Sequence, residues 1–189
     1  MQSLSFRVDG SVIRLETDSR ALLEETAKDF SRFAYSGVLE PQGRVLLTRS
    51  RKKFPIRVPE YAVRDSFGPN ESAVYTHLDK RYVVVGDSCA FEIDLRGSSI
   101  EGYFRPDYPV WPFFRHMLKW FLIKNLELRG IHFLHASSGM SDDLCVLFVA
   151  SSGFGKTSAL LSLLRGGYHM ITDDLFFFEG RTVYPFHMR

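Results

Sequence analysis

At 189 residues, with 45% hydrophobic and 24% charged side chains, the chain has the size and composition of one globular domain or of one domain with a small appendage, and its 17 Phe supply bulk for a sizeable core. A formal net charge of +2 is too small to argue for nucleic acid or an anionic membrane as a partner. Cys89 and Cys145 make no disulfide framework, and the start Met1-Gln2-Ser3-Leu4-Ser5-Phe6-Arg7 lacks the charged-then-apolar pattern of a secretory signal, so a cytoplasmic location is expected.

Leu4 to Val8 and Val12 to Thr17 alternate apolar and polar residues around Asp9-Gly10, a hairpin turn signal. Asp18-Ser19 offers an N-cap to a helix expected to run to about Tyr35. Its stripe is Leu22, Leu23, Thr26, Ala27, Phe30, Phe33 and Ala34, and Gly37 closes it. Arg44 to Thr48 reads as a strand, and the basic run Arg49-Ser50-Arg51-Lys52-Lys53 as a solvated loop. Pro55, Pro59, Gly68 and Pro69 predict an irregular stretch. Short strands follow at Ser72 to His77, Arg81 to Val85, Cys89 to Asp94 and Ser99 to Phe104. Residues 1–104 are therefore expected to form a β-rich α+β region dominated by antiparallel pairing.

Pro106, Pro109 and Pro112 mark a boundary, after which residues 105–189 are expected to form a second domain. A helix from about Trp111 to Arg129 carries Phe114, Met117, Leu118, Phe121, Leu122 and Leu126 at three- and four-residue steps, with Gly130 at its end. Arg115, Lys119 and Lys124 interrupt it before a membrane span is reached. Strands are expected at Ile131 to His135, Leu144 to Val149, Tyr168 to Phe178 and Thr182 to Pro185, and a helix ends at Arg165. This strand–helix–strand alternation argues for an α/β nucleotide-binding core.

The chemistry concentrates in Cys145 to Leu164. An apolar run breaks into Ser151-Ser152-Gly153-Phe154-Gly155, then Lys156-Thr157-Ser158, then an apolar helical pattern. Backbone N–H groups of such a loop and of the helix start converge on a phosphate. Lys156 would reach the β- and γ-phosphates of ATP, and the Thr157 hydroxyl would ligate Mg²⁺. Ala150 stands where the usual pattern opens with glycine. One helix later, Asp173-Asp174 follows an apolar stretch; one carboxylate of such a pair can hold Mg²⁺ while another takes the proton of an acceptor hydroxyl. On a straight strand the two would point to opposite faces, so a shared task needs a bend.

Taken together, Leu134-His135-Ala136-Ser137-Ser138, Val146 to Thr157, Arg165-Gly166-Gly167-Tyr168 and Thr172-Asp173-Asp174 resemble the HPr kinase/phosphorylase family and its broader group of HPr-kinase-like serine kinases, over about residues 131–185. The resemblance implies the α/β phosphate-loop core shared with phosphoenolpyruvate carboxykinases. It implies that Asp173 activates the acceptor hydroxyl, that Asp174 helps position the metal or the loop, that Lys156 and Thr157 bind phosphate and metal, and that His135 is an auxiliary group near the phosphates. Ser158 replaces the glutamate usual after the loop's Ser/Thr, and the family's later strands and downstream loop do not follow within the chain. A C-terminally short core is therefore expected, with no support for the phosphorylase direction and little for the HPr protein as acceptor.

The expected function is transfer of the γ-phosphoryl group of ATP to a serine-type hydroxyl of a protein, peptide or small molecule. The alternatives are a noncatalytic ATP-binding regulatory module, an incomplete kinase fragment, or a different phosphate-loop enzyme. A homo-oligomer that completes the site is among the expected partners; nucleic acid and membrane are not.

Overall fold

The alternating N-terminal segments pair as strands. In the computed structural model, which describes residues 1–8, 10–65, 72–96, 98–142 and 144–186, β1 (Gln2–Val8) and β2 (Ser11–Thr17) are antiparallel. Asp9 of the expected turn lies outside the described residues, as do Gly68 and Pro69 of the expected irregular stretch. Helix α1 (Arg20–Asp29) starts as its sequence predicts, with the Leu22 backbone N–H donating to Ser19 Oγ at 3.4 Å. It ends well before Gly37. The Phe30 N–H still donates to the Thr26 carbonyl, but Ser31–Phe33 tighten into a 3-10 turn and the chain returns to β1, where the Tyr35 N–H donates to the Ser5 carbonyl at 2.9 Å. The Phe30 ring packs 4.8 Å from Phe6, so its apolar surface is covered by β1 without further helix.

The chain divides into two compact units, Met1–Asn125 and Leu126–Arg189. The division falls near the C-terminal end of a helix, not at the proline cluster that precedes it.

The first unit holds an eight-stranded sheet. To β1 and β2 it adds β3 (Gly43–Arg49), β4 (Val63–Asp65), β5 (Ser72–His77), β6 (Lys80–Val85), β7 (Cys89–Asp94) and β8 (Ser99–Phe104), in the order β1-β2-β3-β8-β7-β6-β5-β4. The flanks are antiparallel, but β3 runs parallel to both β2 and β8. The return from β2 to a parallel neighbour is made through α1, because parallel strands need a long crossover. Side chains of period two fill one face: Ile13 and Leu15, Val45 and Leu47, Phe91 and Ile93, Ile100 and Phe104 are all at most 2% exposed. Helix α2 (Val110–Glu127) lies on this face, stacking Phe113 5.7 Å from Phe91 and burying Phe114, Leu118, Phe121 and Leu122. Arg115 of α2 pairs with Asp29 of α1 at 2.5 Å. The basic run after β3 is exposed, as expected. Arg105 beyond it donates to the carbonyls of Ser50 and Lys52, which pins the loop.

The second unit contains two three-stranded sheets. In one, the order is β11 (Leu144–Phe148), β10 (Ser137–Ser141), β12 (His169–Thr172); in the other, β14 (Thr182–Phe186), β13 (Leu175–Glu179), β9 (His132–His135). Every ladder in both is antiparallel. Helix α3 (Lys156–Arg165) packs on β10.

This corrects the expected fold class. The chain is mostly β, with fourteen strands against three α-helices among the described residues and a large mixed sheet, and it is not clearly the α/β phosphate-loop fold of the HPr kinase/phosphoenolpyruvate carboxykinase type. The strands on either side of α3 are not parallel neighbours, because β10 lies between them and pairs antiparallel with both. Nothing in Ser137-Ser138-Gly139 signals a strand, and that hidden strand is what alternation of the visible ones overlooked. The expected single strand Tyr168 to Phe178 is likewise two, broken at Asp173-Asp174. Among the described residues no helix is long and apolar enough to cross a membrane.

Candidate functional site

Two chain segments switch sheets side by side. The chain leaves β9 for β10 at Ala136, and leaves β12 for β13 at Asp173-Asp174. At this switch the regular ladder is interrupted and other bonds replace it. The Ala136 N–H donates to the Asp174 carbonyl at 2.9 Å, the Asp174 N–H donates to Thr172 Oγ1 at 3.3 Å, and the Thr172 hydroxyl, fully buried, lies 3.3 Å from the Leu175 carbonyl that accepts it. The bend is therefore specified by hydrogen bonds, and it brings both Asp side chains to the surface.

The glycine-bearing loop 151–155 leads into the N-terminal end of α3. Gly153 and Gly155 take φ of 83° and 81°, with nothing within 4 Å of where a Cβ would stand. They are needed for their left-handed backbone and not for space. Gly155 is the N-cap of α3 and, having no side chain, leaves the first-turn N–H groups without a side-chain cap. That end of α3 carries the positive pole of the helix. Lys156 Nζ folds back to donate to the carbonyls of Ala150 at 2.8 Å and Ser151 at 3.1 Å. Ser151, Ser152, Gly153, Phe154, Gly155, Thr157 and Ser158 are exposed, Phe154 by 78%. On β11, the strand that enters the loop, burial pushes the Cys145 thiol up, in keeping with an unreactive apolar filler.

Loop and switch meet at one carboxylate. The Thr157 hydroxyl donates to Asp173, 2.8 Å from Oδ2 and 3.1 Å from Oδ1, and the Ser137 hydroxyl donates to Oδ1. Asp174 turns elsewhere: its Oδ1 lies 3.9 Å from His135 Nδ1, with both side chains more than half exposed. The structure thus joins Thr157 to Asp173 and His135 to Asp174, whereas the sequence grouped Thr157 with Asp174 as metal ligands. Ser137, fully buried, has no role in the sequence analysis. A small hydroxyl in an Ala-Ser-Ser-Gly stretch carries no periodic signal, and only the register that sets β10 beside β12 gives it one. Its neighbour Ser138 is also buried, and Ser138 Oγ has no hydrogen-bond partner among the described residues.

The donors here are hydroxyl and carboxylate oxygens, the set a hard cation such as Mg²⁺ takes. Among the described residues no three His, Cys, Asp or Glu side chains converge, so there is no all-protein metal cage. One or two protein oxygens beside substrate phosphates is the usual Mg²⁺–nucleotide arrangement, and Thr157 with Asp173 fits it. Comparison with protein-family models and with curated proteins returns no match for this chain. Its class of site therefore rests on its own geometry: a glycine-bearing loop at a helix N-terminus, beside a carboxylate that accepts two hydroxyl donors.

Proposed function

We propose that this chain is an ATP-dependent kinase acting on a serine-type hydroxyl of a protein, peptide or small molecule. The observation that carries the reading is Asp173, held by the Ser137 and Thr157 hydroxyls next to the phosphate loop. The motif order that resembles HPr-kinase-like serine kinases supports it.

In this reading the loop N–H groups and the start of α3 hold the triphosphate, and Lys156 exchanges its two loop carbonyls for phosphate oxygens. Thr157 with an Asp173 or Asp174 oxygen would hold Mg²⁺, which would supply neutralisation of phosphate charge. Asp173 already serves as an acceptor for hydroxyl protons, and an acceptor substrate presents the same group. As that substrate oxygen bonds to the γ-phosphorus, the bond from phosphorus to the bridging oxygen breaks and ADP leaves; the hydroxyl proton passes to Asp173. Little covalent work is asked of the protein, so positioning and charge neutralisation supply most of the rate. His135 Nδ1, 3.9 Å from Asp174 Oδ1, keeps the auxiliary place beside the carboxylates that the motif order implies for it. A cytoplasmic setting accords with ATP as substrate and with two unpaired thiols.

Calorimetric titration of Mg-ATP, followed by an acceptor screen, tests this. Lys156→Ala should weaken ATP binding roughly tenfold or more, the loss of a charged hydrogen bond to phosphate. Asp173→Asn should still bind ATP but lose roughly 10²- to 10⁴-fold in transfer, the range of a general base. Unchanged binding by Lys156→Ala sinks the phosphate-loop reading, and unchanged transfer by Asp173→Asn removes the base. Binding without transfer to any acceptor would assign a noncatalytic nucleotide-binding module.

A further inference from the structure

The first unit carries a second candidate site, which does not depend on the nucleotide reading. The strand register lines up residues of the covered sheet face in rows. Leu15, Val45, Ile100 and Ile93 form one row, and Arg81 is the next residue in it; Phe91, Val83 and Val74 lie in the adjacent row, and Asp65 ends it. Two charged side chains, with Thr76 beside them, thus stand next to the apolar part of this face. Above them, between α2 and β5–β7, is a groove of about 710 Å³ whose walls include Val74, Val83, Ile93, Phe113, Met117 and Trp120. Small-molecule sites span roughly 300–1,000 Å³ and share this make-up of apolar walls with a few polar groups.

The two charges are close without being closed on each other. Arg81 Nη2 lies 3.8 Å from Asp65 Oδ2, within ionic range but beyond a hydrogen bond. That oxygen instead accepts the Thr76 hydroxyl at 2.9 Å. Arg81 Nε is buried with no hydrogen-bond partner among the described residues, and the guanidinium carbon sits 5.2 Å from the centre of the Trp120 ring. Trp120 and the apolar wall orient the cation; the acid does not satisfy it.

We propose that the groove binds a free α-amino acid with a large apolar side chain. The ligand carboxylate pairs with the Arg81 guanidinium, its ammonium pairs with Asp65, and its side chain lies against Phe113 and Met117. Charge complementarity selects a zwitterion. The lining contains one acid and one permanent cation, so an apolar monoanion leaves Asp65 facing like charge, and an uncharged ligand desolvates both groups with no return.

The probe is L-phenylalanine, titrated into the full chain carrying Trp111→Phe, so that Trp120 is the one remaining of the two Trp. A saturable change in Trp120 emission is expected. 3-Phenylpropionate, which lacks the ammonium, and 2-phenylethylamine, which lacks the carboxylate, should each bind roughly tenfold more weakly or worse, the effect of one charged hydrogen-bonded contact. Arg81→Gln should bind phenylalanine and phenylethylamine alike; Asp65→Asn should bind phenylalanine and phenylpropionate alike. Asp65 is half exposed on an edge strand, so Asp65→Asn decides the matter if Arg81→Gln fails to fold. No saturable change with phenylalanine overturns the proposal. So does phenylpropionate or phenylethylamine binding as well as phenylalanine, or unaltered selectivity in Asp65→Asn.

Discussion

In the first unit, Phe6, Ile13, Leu15, Leu47, Phe91, Ile93, Phe114 and Leu118 all lie within 1% of complete burial. In the second, Leu160, Leu175, Phe176 and Phe177 carry the interior, while Met140, Leu144, Leu147, Val149, Phe154 and Met170 remain open. An eight-stranded sheet with two helices on one face removes a broad apolar surface from water, and three-stranded sheets cannot. The hydroxyl–carboxylate cluster goes with the smaller core. Asp173, Thr157 and Ser137 meet where the backbone ladder is broken, so side-chain hydroxyls rather than strand partners take up the hydrogen bonds there. One unit is organised by burial, the other by specific polar contacts.

Substitutions should separate the two behaviours. The largest effect belongs to Phe91→Ala, which empties the centre of the covered face and should lower stability by about 3–5 kcal/mol in urea unfolding. A loss below about 1 kcal/mol would mean that this face is not the main source of stability, since surface changes cost about that or less. Gly102→Ala tests the same face by adding volume to it. A Cβ there would stand 2.4 Å from Phe91 Cδ1 and 2.6 Å from Leu47 Cδ2, so about 1–3 kcal/mol of overpacking is expected. An unchanged midpoint would show that the rings can move aside.

Ser137→Ala should behave differently. It removes one donor from an exposed carboxylate, so stability should fall by about 1 kcal/mol, while phosphoryl transfer should fall about tenfold with ATP binding retained. Ser137→Thr keeps the hydroxyl and should restore transfer, which a purely packing role would not predict.

The cysteines give the smallest and most direct contrast. In the first unit, burial pushes the Cys89 thiol up from its ordinary value near 9 to about 12, partly offset by a hydrogen bond with Tyr108. Cys145 in the second unit is raised by burial as well, yet it is only half-buried. A thiol reagent at pH 8 should therefore spare Cys89 in the folded chain and label Cys145 slowly, as mass spectrometry of the two peptides would report. Because the folded Cys89 holds its proton more tightly than the unfolded chain does, its contribution to stability is present below about pH 9 and is lost as the pH rises toward 12. A stability that does not decline above pH 9 would contradict that environment.

Much of the first unit is legible in the chain. Alternation from Ser72 to Phe104 delimits four strands, Ser19 starts α1, and the stripe from Phe114 to Leu126 marks α2. Each is a local signal read within one or two turns or a single pleat. The turn into α3 is legible for the same reason, because Gly153 and Gly155 set the backbone within a few residues of the helix start. The end of α1 is not: Phe30 and Phe33 fit a helical stripe, and only β1 lying alongside turns them into a 3-10 turn and a bridge.

By itself, the sequence determined which segments are strands and helices wherever their apolar period is strong, and where the glycine turn into α3 falls. The tertiary structure alone decided how they pair. The parallel strands fall around β3 in the first unit rather than beside α3, a weakly marked β10 separates β11 from β12, and Asp173 rather than Asp174 receives Thr157. Pairing and register depend on contacts between residues far apart in the chain, and a period of two or 3.6 says which face is apolar without saying what covers it.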